Sequence, residues 1–323
     1  GIPGTLEMQV LIGMISMGVL FALNFLSSKL GGYVQNAATM IKIIPLVAIA
    51  ILGFVFAPSG ALEQALFSGG NTGAWITAIG PIAFAFDGWI VSTSICHEIR
   101  NSRRNLPLAL TIAPLVILSI YLAYFIGICL LIGPEQVMVL GDAHVNAAVQ
   151  KLFGDFGAKA VLVFIVISVL GTVNGLIMGM IRLPGAMAER SMFPAPKQII
   201  KEASHGTGIV SILFSMAICL IWMAIHYITQ RYHLLINSDV SEISIAVNYL
   251  VFIPLYFAVF RMKRVGKISN PIVGYLLPLL ATAGSFIVIS GSMQNPLFLF
   301  YLVICMAVIA AGGLYWKFGM KKN

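Results

Sequence analysis

Along the chain, long apolar runs alternate with short polar connections. Windows of about 19 residues pick out nine runs, near 8–27, 37–57, 75–95, 107–133, 160–181, 207–228, 240–260, 272–291 and 297–316. Each is close to the ~20 residues a helix needs to cross the hydrocarbon core of a bilayer. None shows the alternation over about ten residues that marks a transmembrane strand. The pattern predicts an all-α integral membrane protein, because a segment in lipid has no water to satisfy its backbone. The weakest run is 240–260, with Asp239, Ser241 and Glu242 at its opening and Asn248 and Pro254 inside. The longest connection, 134–159, places Val137, Leu140, Val145, Ala148, Val149 and Leu152 at roughly helical spacing among Gly and Pro breakers. A short helix lying on the outer face is expected there.

Composition agrees with the pattern. Hydrophobic residues make up 59% and charged residues 9%, and the mean hydropathy is +0.98. A soluble domain carries about 25% charged residues. By length alone 323 residues allow two soluble domains; the apolar runs argue instead for one transmembrane domain over 1–323.

A net charge of +8 raises the question of a nucleic-acid partner, and the positions answer it. Lys29, Arg100, Arg103, Arg104, Arg182, Arg190, Lys197, Lys201, Arg261, Lys263, Arg264, Lys267, Lys317, Lys321 and Lys322 all fall in alternate connections or the tail, fifteen of nineteen basic residues. The other side holds Lys151, Lys159 and Arg231 with seven acids: Glu7, Glu63, Glu135, Asp142, Asp155, Asp239 and Glu242. Under the positive-inside rule the richer side is cytoplasmic. The charge therefore orients a cell-membrane protein, with membrane lipid as its surroundings and no nucleic acid required. Nine spans with a cytoplasmic C-terminus place residue 1 on the outer side. Since the chain opens with Gly1 and carries no signal peptide, an odd number of preceding spans is expected to be missing.

Soluble-enzyme chemistry finds no footing. The five histidines show no HExxH spacing, and there is no CxxC or Walker loop. We therefore expect no enzyme activity, cofactor or metal. Cys96, Cys129, Cys219 and Cys305 sit in or at the ends of spans, so no disulfide is expected. His97 and Glu98, adjacent at the inner mouth, read as a salt-bridged cap.

Three polar interruptions remain. "FAFDGWIVSTS" sets Asp87 and Gly88 in the middle of the third run. A charge at that depth is costly and faces a cavity or a partner, while Gly permits backbone excursions. One reading is a helix that unwinds, so that freed amides and carbonyls bind the two ends of an amino acid zwitterion. The other is a Gly-mediated helix contact with Asp87 bonded to a neighbouring span. Lys42 lies inside the second run beside Pro45, close enough to the cytoplasmic end to snorkel. Thr172, Asn174, Gly175 and Gly179 gather small and polar residues on the fifth run, either for close helix packing or along a translocation path.

"FAFDGW", followed by "EIRNSRRNLP", resembles the sixth transmembrane segment and following loop of the amino acid–polyamine–organocation superfamily, in its L-type branch, which includes bacterial serine/threonine-type exchangers. "ATMIKIIPL" resembles the fifth segment with its lysine, and "GTVNGLIMGMIRLPGAMAERSMFP" the eighth and its loop. Ser102 stands where the family usually has Pro. The resemblance implies a LeuT-type fold, with this chain matching segments four to twelve of twelve and the first three helices absent. It implies a transporter exchanging neutral L-amino acids without sodium, by alternating access. Phe84 would be an aromatic gate, and Ala85, Phe86, Asp87, Gly88 and Trp89 would form or flank the substrate-binding break. Lys42 would stand in the cation position. Residues 1–10 hold no cysteine, so the disulfide-linked heavy subunit of animal relatives is not expected. The competing functions are a proton-coupled, cationic amino acid or polyamine permease and, from another class, a membrane sensor or inactive truncated product.

Overall fold

The computed structural model describes residues 4–63, 75–94, 96, 99–193, 199, 208–235 and 244–318. Among them there is no β-strand, and seven helices are long and apolar enough to cross a membrane. In chain order the helices are α1 (Leu6–Leu26), α2 (Ser28–Val55), α3 (Trp75–Ala85), α4 (Val91–Ser94), α5 (Ser102–Ile132) and α6 (Pro134–Leu140). After a 3-10 turn at Gly141–Ala143 come α7 (His144–Met180), α8 (Leu183–Glu189), α9 (Ile209–Arg231) and α10 (Ile245–Arg264). A π-helical turn, Ile272–Leu276, then leads into α11 (Leu277–Ser292), and α12 (Phe298–Phe318) ends the described chain.

All nine expected runs find a helix. The third is interrupted: α3 stops at Ala85 and α4 resumes at Val91. Helix α2 starts well before the expected 37, because its first turns are polar and hydropathy does not see them. Ser27 caps it, its hydroxyl accepting from the Leu30 amide at 3.2 Å. Asp239, Ser241 and Glu242 lie outside the described residues, as do His97 and Glu98 with their expected cap.

The chain divides into two compact units. One comprises 8–69 and 88–218, the other 1–7, 70–87 and 219–323. In the first, α2 packs against both α5 and α7. The fit depends on small residues: a Cβ on Gly53 would run into the backbone of Gly127, and one on Gly127 would meet the Ala50 Cα at 2.8 Å. At Gly171 of α7 a Cβ would strike the Ala38 side chain of α2. Lipid tails are as apolar as Leu, so close backbone approach of this kind holds such helices together.

The short helix expected in 134–159 is present in the same unit. Residues from Pro134 to Phe153 are almost wholly helical and pack under the end of α5, where Ile49, Ile128, Leu131, Ala148 and Val149 form a buried cluster. Gly154 leaves helical geometry at φ 65°, ψ −163° and separates this segment from the spanning part of α7. Lys151 donates to the Leu131 carbonyl at 2.6 Å, a cation on the unpaired C-terminal carbonyls of α5.

In the second unit α11 packs against α3 and α10, and Gly291 of α11 seats Ile79 of α3. Glu7 meets Arg231 at 3.8 Å and accepts from the Tyr227 hydroxyl at 3.5 Å. The start of α1 therefore lies beside the end of α9.

Gly127→Ala is expected to lower thermal stability in detergent by about 1–3 kcal/mol, the usual cost of overpacking. Gly18→Ala, with open space around the added methyl, serves as the neutral control. Equal melting temperatures for the two variants would show that the α2–α5 contact is not tight.

Candidate functional site

The first candidate element is the break in the third span. Pro81 lacks an amide hydrogen, so α3 is already one backbone bond short where it approaches the interruption. Phe86 and Asp87 still donate backward, to Ile82 at 3.2 Å and Phe84 at 3.1 Å. Gly88 then adopts φ +98°, in the left-handed region open to glycine but strained for other residues. Bonding resumes when the Val91 amide donates to the Gly88 carbonyl at 3.1 Å. Residues 86–90 thus form a run of turns, not helix.

Two hydroxyls steady the far side of this break. Ser92 Oγ donates to the Trp89 carbonyl at 2.8 Å and Thr93 Oγ1 to the Ile90 carbonyl at 2.6 Å. Each of these carbonyls also takes the amide of the same residue, Ser92 at 3.3 Å and Thr93 at 3.0 Å, so both acceptors are doubly held. Phe84, Ala85, Asp87 and Trp89 are exposed, and Phe86 and Gly88 are half-buried. Phe84 keeps 49% of its surface accessible and Trp89 38%, so both aromatics present a face for contact. Asp87 closes one compact unit and Gly88 opens the other.

A second element joins α2 to α7. The Lys42 ammonium donates to Thr172 Oγ1 at 3.0 Å, and that hydroxyl donates in turn to the Ser168 carbonyl at 3.1 Å. Pro45, three residues on, cannot bond back to Ile41. A half-buried positive charge therefore stands beside a carbonyl deprived of its helical partner. The ammonium makes an interhelical bond here. Thr172 is exposed at this point of α7, and α4, the half-helix that follows the break, packs against α7.

Asn174, two residues farther along, has a different setting. It is fully buried, its amide donating to the Gly31 carbonyl and to Gln35 Oε1, both at 3.2 Å. Its carbonyl oxygen accepts from Asn24 Nδ2 at 2.8 Å, and the same Asn24 nitrogen donates to the Leu20 carbonyl at 2.9 Å. This brace ties α1, α2 and α7 together in their interior. The structure thus gathers Lys42, Thr172 and Asn174 on α2 and α7. Residues 84–89 form a distinct backbone feature.

Asn24 and Gln35 had not been singled out from the sequence. The available signal was an amide in the apolar run 8–27, where a polar side chain has a partner or a cost. Among the described residues no group of His, Cys, Asp and Glu could hold a metal ion, and none of the four cysteines is in a disulfide.

The amino acid permease family model matches residues 3–309. The chain belongs to the amino acid permease family. It is thereby an all-α, multi-pass membrane protein with the LeuT-type fold. The serine/threonine exchanger SteT of Bacillus subtilis (strain 168) is 32% identical over 325 residues, covering 97% of this chain and 69% of the exchanger. The b(0,+)-type amino acid transporter 1 of Mus musculus is 33% identical over 160 residues, 47% of this chain and 32% of that transporter. The Homo sapiens cystine/glutamate transporter is 24% identical over 202 residues, covering 60% of this chain and 39% of its own. The chain thus spans about two thirds of the bacterial relative and a third or so of the animal ones.

Asn174→Leu is expected to cost about 1–3 kcal/mol, because it strands the buried Asn24 amide. Asn24→Leu with Asn174→Leu should recover part of that loss. Detergent melting curves for the two single variants and the double variant would measure the coupling, and strict additivity would deny the brace.

Proposed function

We propose that this chain forms the greater part of a transporter exchanging neutral L-amino acids by alternating access, without sodium. The observation that carries the reading is the Lys42–Thr172 bond between α2 and α7. A permanent ammonium there supplies the positive charge that an alkali cation would otherwise bring, and it needs no gradient to arrive. The name of the exchanger that shares 32% identity over nearly the whole chain supports exchange.

The break at 86–90 is the substrate's seat in this reading. A zwitterion needs acceptors for its ammonium and donors for its carboxylate, and interrupted helices offer both. Phe84 would close over the substrate, while Ala85, Phe86, Asp87, Gly88 and Trp89 shape the pocket. Thr172 serves by anchoring Lys42. The basic connections face the cytoplasm, as does the C-terminus, and residue 1 lies outside. The Glu7–Arg231 pair supports that arrangement by joining two chain positions assigned to the outer side.

The test is uptake of labelled serine or threonine by the complete protein in proteoliposomes. Uptake should require unlabelled amino acid inside and persist when choline replaces sodium. Uptake into empty vesicles driven by a pH gradient, or a sodium requirement, would overturn exchange or cation replacement respectively. An exposed Asp87 favours a second reading, in which cationic amino acids or polyamines are carried. Lysine outcompeting serine in wild type, with the advantage lost in Asp87→Asn, would establish it.

Phe84→Ala is expected to weaken transport with little change in melting temperature, since the exposed ring contributes contact area to the substrate more than to the fold. Lys42→Ala should slow exchange about tenfold or more, the effect of losing roughly 1.4 kcal/mol at the barrier. Normal rates in either variant at equal expression would remove that residue from the mechanism.

A further inference from the structure

A second cavity-forming surface lies at the other end of the chain. Ile253, Phe257 and Phe260 of α10 face Ile272, Tyr275 and Leu279 across a groove of about 650 Å³. Its lining is almost wholly apolar, and Phe257 and Leu279 remain 70% and 66% exposed. The groove is framed by two consecutive helices and begins at the short connection between them. From Arg264 back to Ile253 is eleven residues, or roughly 16 Å of helix. That is about half of a ~30 Å hydrocarbon core, the depth of a single leaflet. An apolar slot one leaflet deep has the dimensions of an acyl chain.

The connection from which the groove begins is charged, and with one sign only. Arg261, Lys263, Arg264 and Lys267 occur within seven positions. No Asp or Glu occurs anywhere from Ile243 to the end of the chain. Arg261, Arg264 and Lys267 are exposed. Lys263 is held in place: its ammonium donates to the Ser269 carbonyl at 2.5 Å and lies 5.9 Å from the centre of the Tyr275 ring. Its stem runs over Gly274, where a Cβ would collide with it. Gly274 sits in the π-helical turn, an irregularity that often accompanies functional sites. Here the turn sets an aromatic wall and a fixed ammonium at the same opening.

We propose that this groove is a binding site for one anionic phospholipid of the cytoplasmic leaflet. An acyl chain lies along Phe257 and Leu279, and the phosphate is held by Lys263 with Arg264 and Lys267. The phosphate supplies the negative charge missing from this whole end of the sequence. A zwitterionic lipid fills the same slot but carries its own cation to the basic mouth and loses the advantage. The choice of leaflet rests on the orientation given above; the binding itself does not, and it is independent of which substrate is carried.

The experiment uses the complete protein in mild detergent, with lipid retention read by native mass spectrometry. The probes are phosphatidylglycerol and phosphatidylcholine with identical acyl chains. Wild type should retain phosphatidylglycerol in preference, and the preference should fall steeply as salt approaches about 1 M. The triple variant K263Q/R264Q/K267Q should lose phosphatidylglycerol affinity about tenfold or more, as expected for several juxtamembrane charges. R103Q/R104Q, which removes basic residues elsewhere, should keep it. Leu279→Trp, which fills the slot, should reduce retention of both lipids. Equal retention of the two lipids by wild type would overturn the proposal, as would an unchanged preference in the triple variant. Should the triple variant not fold, the salt titration and Leu279→Trp decide. Displacement by inorganic phosphate at equal concentration would assign the mouth to a free anion and sink the lipid site. Amino acid exchange in phosphatidylcholine vesicles, measured separately, bears only on the transport reading.

Discussion

Within a bilayer an amide or carbonyl without a partner has no water to turn to, and each such group costs several kcal/mol. The polar features of this chain are arranged around that cost. Where the third span gives up helical bonding at Phe86–Ile90, Ser92 and Thr93 return hydroxyls to two carbonyls. Where α5 ends, Lys151 takes the Leu131 carbonyl. Where the backbone of α2 passes α7, Asn174 takes the Gly31 carbonyl. A membrane permease must leave some backbone free to meet its cargo, so it has to hold the neighbouring groups all the more firmly.

Close packing and polar bracing divide the labour between α2 and its neighbours. Against α5 the contact is nearly backbone to backbone, through Gly53, Ala50 and Gly127. Against α7 the interior carries amides, and the exposed edge carries the Lys42–Thr172 bond. The difference has a physical sense. Dispersion between backbones is short-ranged and favours one fixed arrangement, whereas a hydrogen bond from a long lysine stem tolerates some displacement of its acceptor. Both sides of α2 are closely packed, at Gly53 against Gly127 and at Ala38 against Gly171, and the α7 side adds the polar bonds.

Much of this was legible in the residues. Nine apolar runs produced nine helical regions, because hydropathy over a bilayer's thickness is a strong signal. The Asp87–Gly88 interruption announced itself as a charge and a glycine at mid-span, and the backbone departs from helix there. Other features left weaker traces. The first turns of α2, from Lys29 to Asn36, are polar enough to escape a hydropathy window and are helical all the same. Lys42 and Thr172 were each conspicuous, but nothing in one sequence pairs two positions 130 residues apart. Asn24 went unnoticed because a lone amide in an apolar run gains meaning only when its partner, 150 residues away, is known.

Gly154 sets the segment over the end of α5 at an angle to the rest of its helix. A helix running unbroken from His144 to Met180 would behave as one rod, carrying any tilt of its lower part up to the surface. A single residue at φ 65°, ψ −163° replaces that rod with two arms and a bend. The upper arm is clamped to the end of α5 through Ala148 and Val149, and each arm keeps its own internal bonding. Past the bend, Gly157 lies close against Phe153 and Val149, and Val161 packs on the same cluster, so both arms share one seat.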